Sequence, residues 1–81
     1  MKPLRFTRYA RNRMRRDKVS EQEVEACLAS PNATALSTKG RTNYWRQRKE
    51  GHLRVTATEE DGGFVIISVT LRRRGPGVSE S

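Results

Sequence analysis

Trp45-Arg46-Gln47-Arg48-Lys49-Glu50-Gly51-His52-Leu53-Arg54-Val55 decides the fold, because a polar break ending in Gly between two alternating segments marks a β-hairpin. As a three-residue turn, Lys49-Glu50-Gly51 places Gly51 in the left-handed conformation that other residues resist. The register then follows. Arg48 falls opposite His52, Gln47 opposite Leu53, Arg46 opposite Arg54 and Trp45 opposite Val55, and opposed residues share a sheet face. A second turn, Glu60-Asp61-Gly62, sets Val65 opposite Ala57, Ile67 opposite Val55 and Val69 opposite Leu53, with Ser68 facing Arg54 and Thr70 facing His52.

Both turns predict the same two faces. Trp45, Leu53, Val55, Ala57, Val65, Ile67, Val69 and Leu71 form an apolar one, and Arg46, Arg48, His52, Arg54, Ser68, Thr70 and Arg72 form a polar one. A two-residue or four-residue first loop would drop Arg46 and Arg48 onto the apolar face and expose Trp45, at the cost of burying charge. The three-residue turn is therefore preferred.

Upstream, Thr7 is placed to cap a helix running to about Arg16, with Phe6, Ala10 and Met14 as its apolar stripe. Arg8, Arg11, Arg13, Arg15 and Arg16 surround that stripe. They suit either a solvated face or contact with a polyanion. Ser20-Glu21-Gln22-Glu23 is a capping box with Val19 and Val24 as its hydrophobic staple. The helix it opens ends near Ala29, before Pro31, and buries Val24, Cys27 and Leu28. A short strand from Ala33 to Ser37 and a Lys39-Gly40 turn lead into strands at Thr42 to Arg48, His52 to Glu59 and Phe64 to Arg73. The expected fold is α+β: two N-terminal helices packed on one face of a four-stranded antiparallel sheet, over residues 1–74, with a disordered polar tail after Gly75-Pro76-Gly77.

Eighty-one residues hold one small core. Seventeen Lys and Arg against nine Asp and Glu give a net charge of +8, and arginine dominates, which suits bidentate contact with phosphate. Cys27 is alone, so one chain builds neither a disulfide framework nor a cysteine metal site. No apolar stretch approaches signal-peptide or membrane-spanning length, and the expected location is the cytoplasm, without membrane attachment. No Gly-rich phosphate loop, Ser-His-Asp pattern, Cys-His pair or carboxylate cluster is present, so neither a cofactor nor a metal is expected.

The polar face carries the functional expectation. Arg46 opposite Arg54 is a like-charge pair that a phosphate would relieve, and Arg48 and Arg72 extend it. Ser68 and Thr70 add hydroxyls for phosphate or ribose, and Tyr44, opposite in direction to Trp45, is available for stacking on a base or for sheet packing. Metal-independent RNA cleavage requires a base for the ribose 2′-hydroxyl, cations for the phosphorane and an acid for the leaving oxygen. His52, Tyr9 and Tyr44 are the proton-transfer candidates.

Phe6-Thr7-Arg8-Tyr9-Ala10-Arg11-Asn12-Arg13-Met14, followed by Val19-Ser20, Glu23-Val24-Glu25, Leu28 and Pro31, resembles the opening of a widespread prokaryotic domain-of-unknown-function family. Gly51-His52-Leu53-Arg54-Val55 and Val65-Ile66-Ile67-Ser68-Val69 resemble its strands, so the likeness runs from about Phe6 to Arg73. That family is similar to the RelE-like and BrnT-like toxins of toxin-antitoxin systems. The resemblance implies a RelE-like fold, an RNA substrate met free or on the ribosome, and a cognate antitoxin as protein partner. By motif position it implies Tyr9, Arg13 and Arg54 as functional residues. The family carries a His-Ala pair after the Thr where this chain has Tyr9-Ala10. Tyr9 substitutes, His52 takes over, or activity is lost.

The expected function is RNA binding with metal-independent endoribonuclease activity, using Tyr9, His52 and Arg54 in catalysis. Arg13, Tyr44, Arg46, Arg48, Ser68, Thr70 and Arg72 would hold the nucleic acid. The alternative is a non-catalytic nucleic-acid-binding or protein-interaction module of the same fold.

Overall fold

The computed structural model describes residues 2–73, and the expectations for Gly75-Pro76-Gly77 and the tail lie outside them. Strand β1 (Leu4–Phe6) leads through Thr7 into helix α1 (Arg8–Asp17). Thr7 caps α1 as its sequence predicts, its side-chain oxygen accepting from the Ala10 amide at 3.1 Å. Lys18, in the left-handed conformation at φ 56°, ends that helix, and the Val19 amide donates to the Met14 carbonyl. Helix α2 (Glu21–Ala29) opens on the expected capping box, with Ser20 accepting from the Glu23 amide and the Glu23 carboxylate accepting from the Ser20 amide. Strand β2 (Ala33–Leu36), a short 3-10 turn (Thr38–Gly40), and strands β3 (Thr42–Arg48), β4 (Gly51–Glu60) and β5 (Gly63–Arg72) complete the chain.

The fold is α+β, but its sheet has five strands in the order β1-β5-β4-β3-β2 and is mixed. Expected to be four-stranded and antiparallel, it gains β1, which runs parallel to β5. Three residues are too few for alternation to register in a sequence. What fixes them is the ladder itself: the Phe64 amide donates to the Pro3 carbonyl and the Thr7 amide to the Ile66 carbonyl.

Both hairpins turn on two residues, not three. Arg48 pairs with Gly51 and Glu60 with Gly63. At the second turn Asp61 and Gly62 both have positive φ, 49° and 75°, the pattern of a type I′ turn whose twist matches the flanking strands. A bulge between Thr56 and Ala57 then inserts Ile67, so that Thr56 pairs with Ser68 and Ala57 with Ile66. The shorter turn and the bulge each displace the register by one, and together they restore the faces expected for the rest of β4 and β5. Near the turn they do not. Ile66 occupies the core, and Val65 and Ile67, expected there, are half-buried.

The first hairpin has no bulge. Gly51 keeps its positive φ of 105°, yet stands inside the ladder, where a Cβ would lie 2.7 Å from the Arg72 carbonyl oxygen. Strand β3 is therefore turned over relative to the expectation. Trp45 pairs with Arg54, Arg46 with Leu53 and Tyr44 with Val55. Both helices cover one face, α1 against β5 and α2 against β3 and β4. The core there joins Ala10, Met14, Val24, Cys27 and Leu28 to Leu53, Val55, Ala57, Ile66 and Val69. Each fully buried Leu, Ile or Val contributes about 1.5–3 kcal/mol. Trp45, expected in this core, is buried on the opposite face, and Leu71 lies at the rim, 39% exposed.

Charge burial, the reason for preferring the longer turn, does not arise. The α2 helix is nine residues long, and the end of β3 runs beyond the apolar center. Arg48 reaches the Glu23 carboxylate at 3.1 Å, and the Arg46 guanidinium donates to the Ser30 carbonyl at the end of α2, so both charges stay at the rim above buried stems.

Candidate nucleic-acid interface

Alternation along β4 sends His52, Arg54 and Thr56 away from the helices, and β5 brings Arg72, Thr70 and Ser68 directly opposite them. We term this face, which no helix covers among the described residues, the open face. Five of the ten residues expected at the site gather here: His52, Arg54, Ser68, Thr70 and Arg72. Their neighbors differ from the expectation, with His52 beside Arg72 rather than Thr70 and Arg54 beside Thr70 rather than Ser68. The Ser68 and Thr70 hydroxyls are 3.3 Å apart.

The turned β3 adds Asn43, Trp45 and Gln47 opposite Thr56, Arg54 and His52. The Thr56 hydroxyl donates to Asn43 Oδ1 at 2.7 Å, and the Arg54 guanidinium carbon lies 5.8 Å from the Trp45 ring centroid. These three went unrecognized as members of the face, and a two-residue reading of the Lys49-Glu50 turn would have found them. Among the described residues of β3 to β5, the one carboxylate with this orientation is Glu60, at the end of β4 remote from His52. Ten residues of strand put about 30 Å between those ends.

The other five expected residues lie elsewhere. Arg46 and Arg48 face the helices, so the like-charge pairing of Arg46 with Arg54 does not exist. Tyr44 packs against the core, edge-on to Phe64 with ring centroids 6.0 Å apart at 86°, and does not face a ligand on the open side. Burial, reinforced by Glu59, pushes its phenol pKa up. Tyr9 and Arg13 stand on α1, on the helix-covered side, with Tyr9 57% exposed. Arg13 lies over the Tyr9 ring at 5.9 Å and donates to its hydroxyl at 3.4 Å. The expected trio of Tyr9, His52 and Arg54 is thus divided by the sheet. Helical periodicity fixes Ala10 and Met14 inward, and Tyr9 follows them onto the far side.

The helix arginines are partly neutralized. Arg11 pairs with Glu21 at 3.1 Å, Arg16 with Asp17 at 3.4 Å and Arg13 with Asp17 at 3.9 Å. Among the described residues, no three His, Cys, Asp or Glu side chains converge as a metal site, and no helix is long and apolar enough to cross a membrane.

No family model, curated protein or solved structure matches the chain. The open face must be judged on its own chemistry. It offers cationic and hydroxyl donors on two adjacent strands, beside the imidazole of His52.

Proposed function

We propose that the chain is a small RelE-like toxin-type domain whose open face binds RNA, with His52, Arg54 and Arg72 as a metal-independent cleavage center. The observation that carries this reading is the convergence of those three side chains with Ser68 and Thr70 on adjacent strands. The α+β order of two helices on one side of the sheet supports it, as does the overall charge of +8.

In this reading Arg54 and Arg72 hold the scissile phosphate and Thr70 donates to a phosphate or ribose oxygen. His52 takes the 2′-hydroxyl proton, the 2′-oxygen attacks phosphorus as the P–O5′ bond breaks, and the 5′-oxygen takes a proton from solvent water, giving a 2′,3′-cyclic phosphate and a free 5′-hydroxyl. Tyr9 is given no part in the step. Arg46, Arg48, Tyr44 and Arg13 are also outside it.

The test is retention and cleavage of labelled RNA in chelator, with and without ribosomes, over a salt series. Arg54→Ala and Arg72→Ala each lower the logarithmic salt slope by about 1, and Arg46→Ala leaves it unchanged. His52→Ala abolishes cleavage while retention persists. Retention without cleavage in the unaltered protein leaves the non-catalytic form of the same module. Equal losses from Arg46→Ala and Arg54→Ala would remove the open face from the reading.

A further inference from the structure

The cationic chemistry of the open face does not end at Arg54 and Arg72. In β1, Leu4 and Phe6 pack against the core, so the exposed Arg5 between them points to the other side of the sheet. It pairs with Val65, which pairs in turn with Thr58 on the same face. Arg41 reaches this row from the opposite flank. Just ahead of β3, with extended backbone at φ −85° and ψ 161°, its carbonyl accepts from the Ser37 amide and carries the β2–β3 register one residue further. Alternation from Asn43 places Arg41 on the open face, in line with Thr58. Neither the Arg5 nor the Arg41 guanidinium has a hydrogen bond or ion pair among the described residues.

We propose that Arg5, Arg41 and Thr58 form a second phosphate subsite on the open face, which holds the same single strand a few nucleotides from the bond beside His52. The inference rests on the RNA reading of this face and gives that reading a length. Arg41 and Arg5 are three strand spacings apart, about 14 Å, and two long side chains reach over Thr58 and Val65 from either side of that gap. The Thr58 hydroxyl adds a donor between them. His52 and Thr58 are six residues apart on β4, which separates the two subsites by about 20 Å. A phosphate at each end suits a single strand of about four nucleotides, the short end of the range for platforms of this kind. Between the ends, Ser68 and Thr70 offer hydroxyls to sugars and to base edges that only an unpaired strand exposes. Glu60, one step beyond Thr58, pairs with neither arginine and repels a phosphate carried further, so the track closes there.

The probes are 2′-deoxyuridylates of two and six residues, which lack the attacking hydroxyl and stay intact. Affinity and location are both read from amide chemical shifts. The hexanucleotide binds about tenfold more tightly than the dinucleotide and shifts the Arg5, Arg41 and Thr58 amides together with those of His52 and Thr70. Arg5→Gln and Arg41→Gln each weaken hexanucleotide binding about threefold, and the double variant loses the whole tenfold gain and the shift at Thr58. Arg8→Gln removes the same charge from α1 behind the sheet and leaves the gain intact. The amide spectrum of each variant verifies its fold. Equal affinity for the two lengths, a gain that survives in the double variant, or an equal loss from Arg8→Gln would overturn the second subsite and leave the first standing. Absence of binding at either length would remove the RNA reading and the second subsite with it.

Discussion

The two hairpins share β4 but are held in different ways. In the β4–β5 hairpin the bulge at Ile67 bends the strand where α1 begins: the Thr7 hydroxyl donates to the Ile67 carbonyl and the Thr7 amide to the Ile66 carbonyl, both at 3.1 Å. The extra residue is thus the anchor of the α1 cap. The β3–β4 hairpin is regular and is held from its outer side. Cys27 Sγ donates to the Tyr44 carbonyl at 3.3 Å, the Asn32 amide to the Trp45 carbonyl at 2.7 Å, and the Gln47 amide to Asn32 Oδ1 at 2.6 Å. One hairpin takes its register from an irregularity and the other from its neighbors, so identical substitutions in the two have different consequences.

The largest expected effect is at Trp45. Buried beneath Arg54 and outside the main core, it makes the open face depend on a ring that no helix covers among the described residues. Trp45→Ala costs about 3–5 kcal/mol in urea unfolding, and Tyr44→Ala about 2–3 kcal/mol, because the smaller, half-buried ring faces the helices. With the three-residue turn Tyr44 would lie on the surface and its removal would cost less than about 0.5 kcal/mol. That result would turn β3 back over.

A glycine from each hairpin gives the next contrast. Gly51→Ala costs about 2–4 kcal/mol, combining a left-handed φ with a Cβ forced to within 2.7 Å of the Arg72 carbonyl oxygen. Gly62→Ala costs about 1 kcal/mol, since its φ is also positive but nothing lies within 4 Å of the added carbon. Thermal unfolding of the pair checks this. Equal losses would mean that β5 does not approach the first turn closely.

The same two glycines explain how much of the fold the sequence discloses. Caps are local, so Thr7, Ser20 and Glu23 could be read directly, and the strand spans followed from alternation. Loop length is not local: Gly in the third position of the break fits a three-residue turn as well as a ladder position crowded by β5, and only the third strand decides between them. In β4 and β5 two displacements cancelled, which is why His52, Arg54, Ser68, Thr70 and Arg72 were placed on one face correctly. In β3 the single displacement stood, moving Arg46, Arg48 and Tyr44 off that face and Trp45 onto it. Strand β1 was missed because a three-residue parallel pairing leaves no periodic trace.

The smallest effect is a pH dependence confined to the side of the first hairpin. Burial pushes the Cys27 thiol pKa up from its ordinary 9.0 to about 11, against weaker opposing pulls from the Arg46 charge and a backbone hydrogen bond at Val55. As pH rises past the ordinary value, the unfolded thiol loses its proton while the folded one keeps it. The unfolded state then binds fewer protons, and stability falls with rising pH until the folded thiol also ionizes near 11. The slope is below about 1 kcal/mol per pH unit. Tyr44, whose phenol pKa is also raised by burial, extends the decline at higher pH, and β5 carries no Cys or Tyr that would add to it. Urea unfolding in alkaline steps should show the decline in the unaltered protein and a shallower one in Cys27→Ala. Identical slopes would mean that α2 does not seal the thiol against β3, and that this hairpin is held by its Asn32 and Arg46 bonds alone.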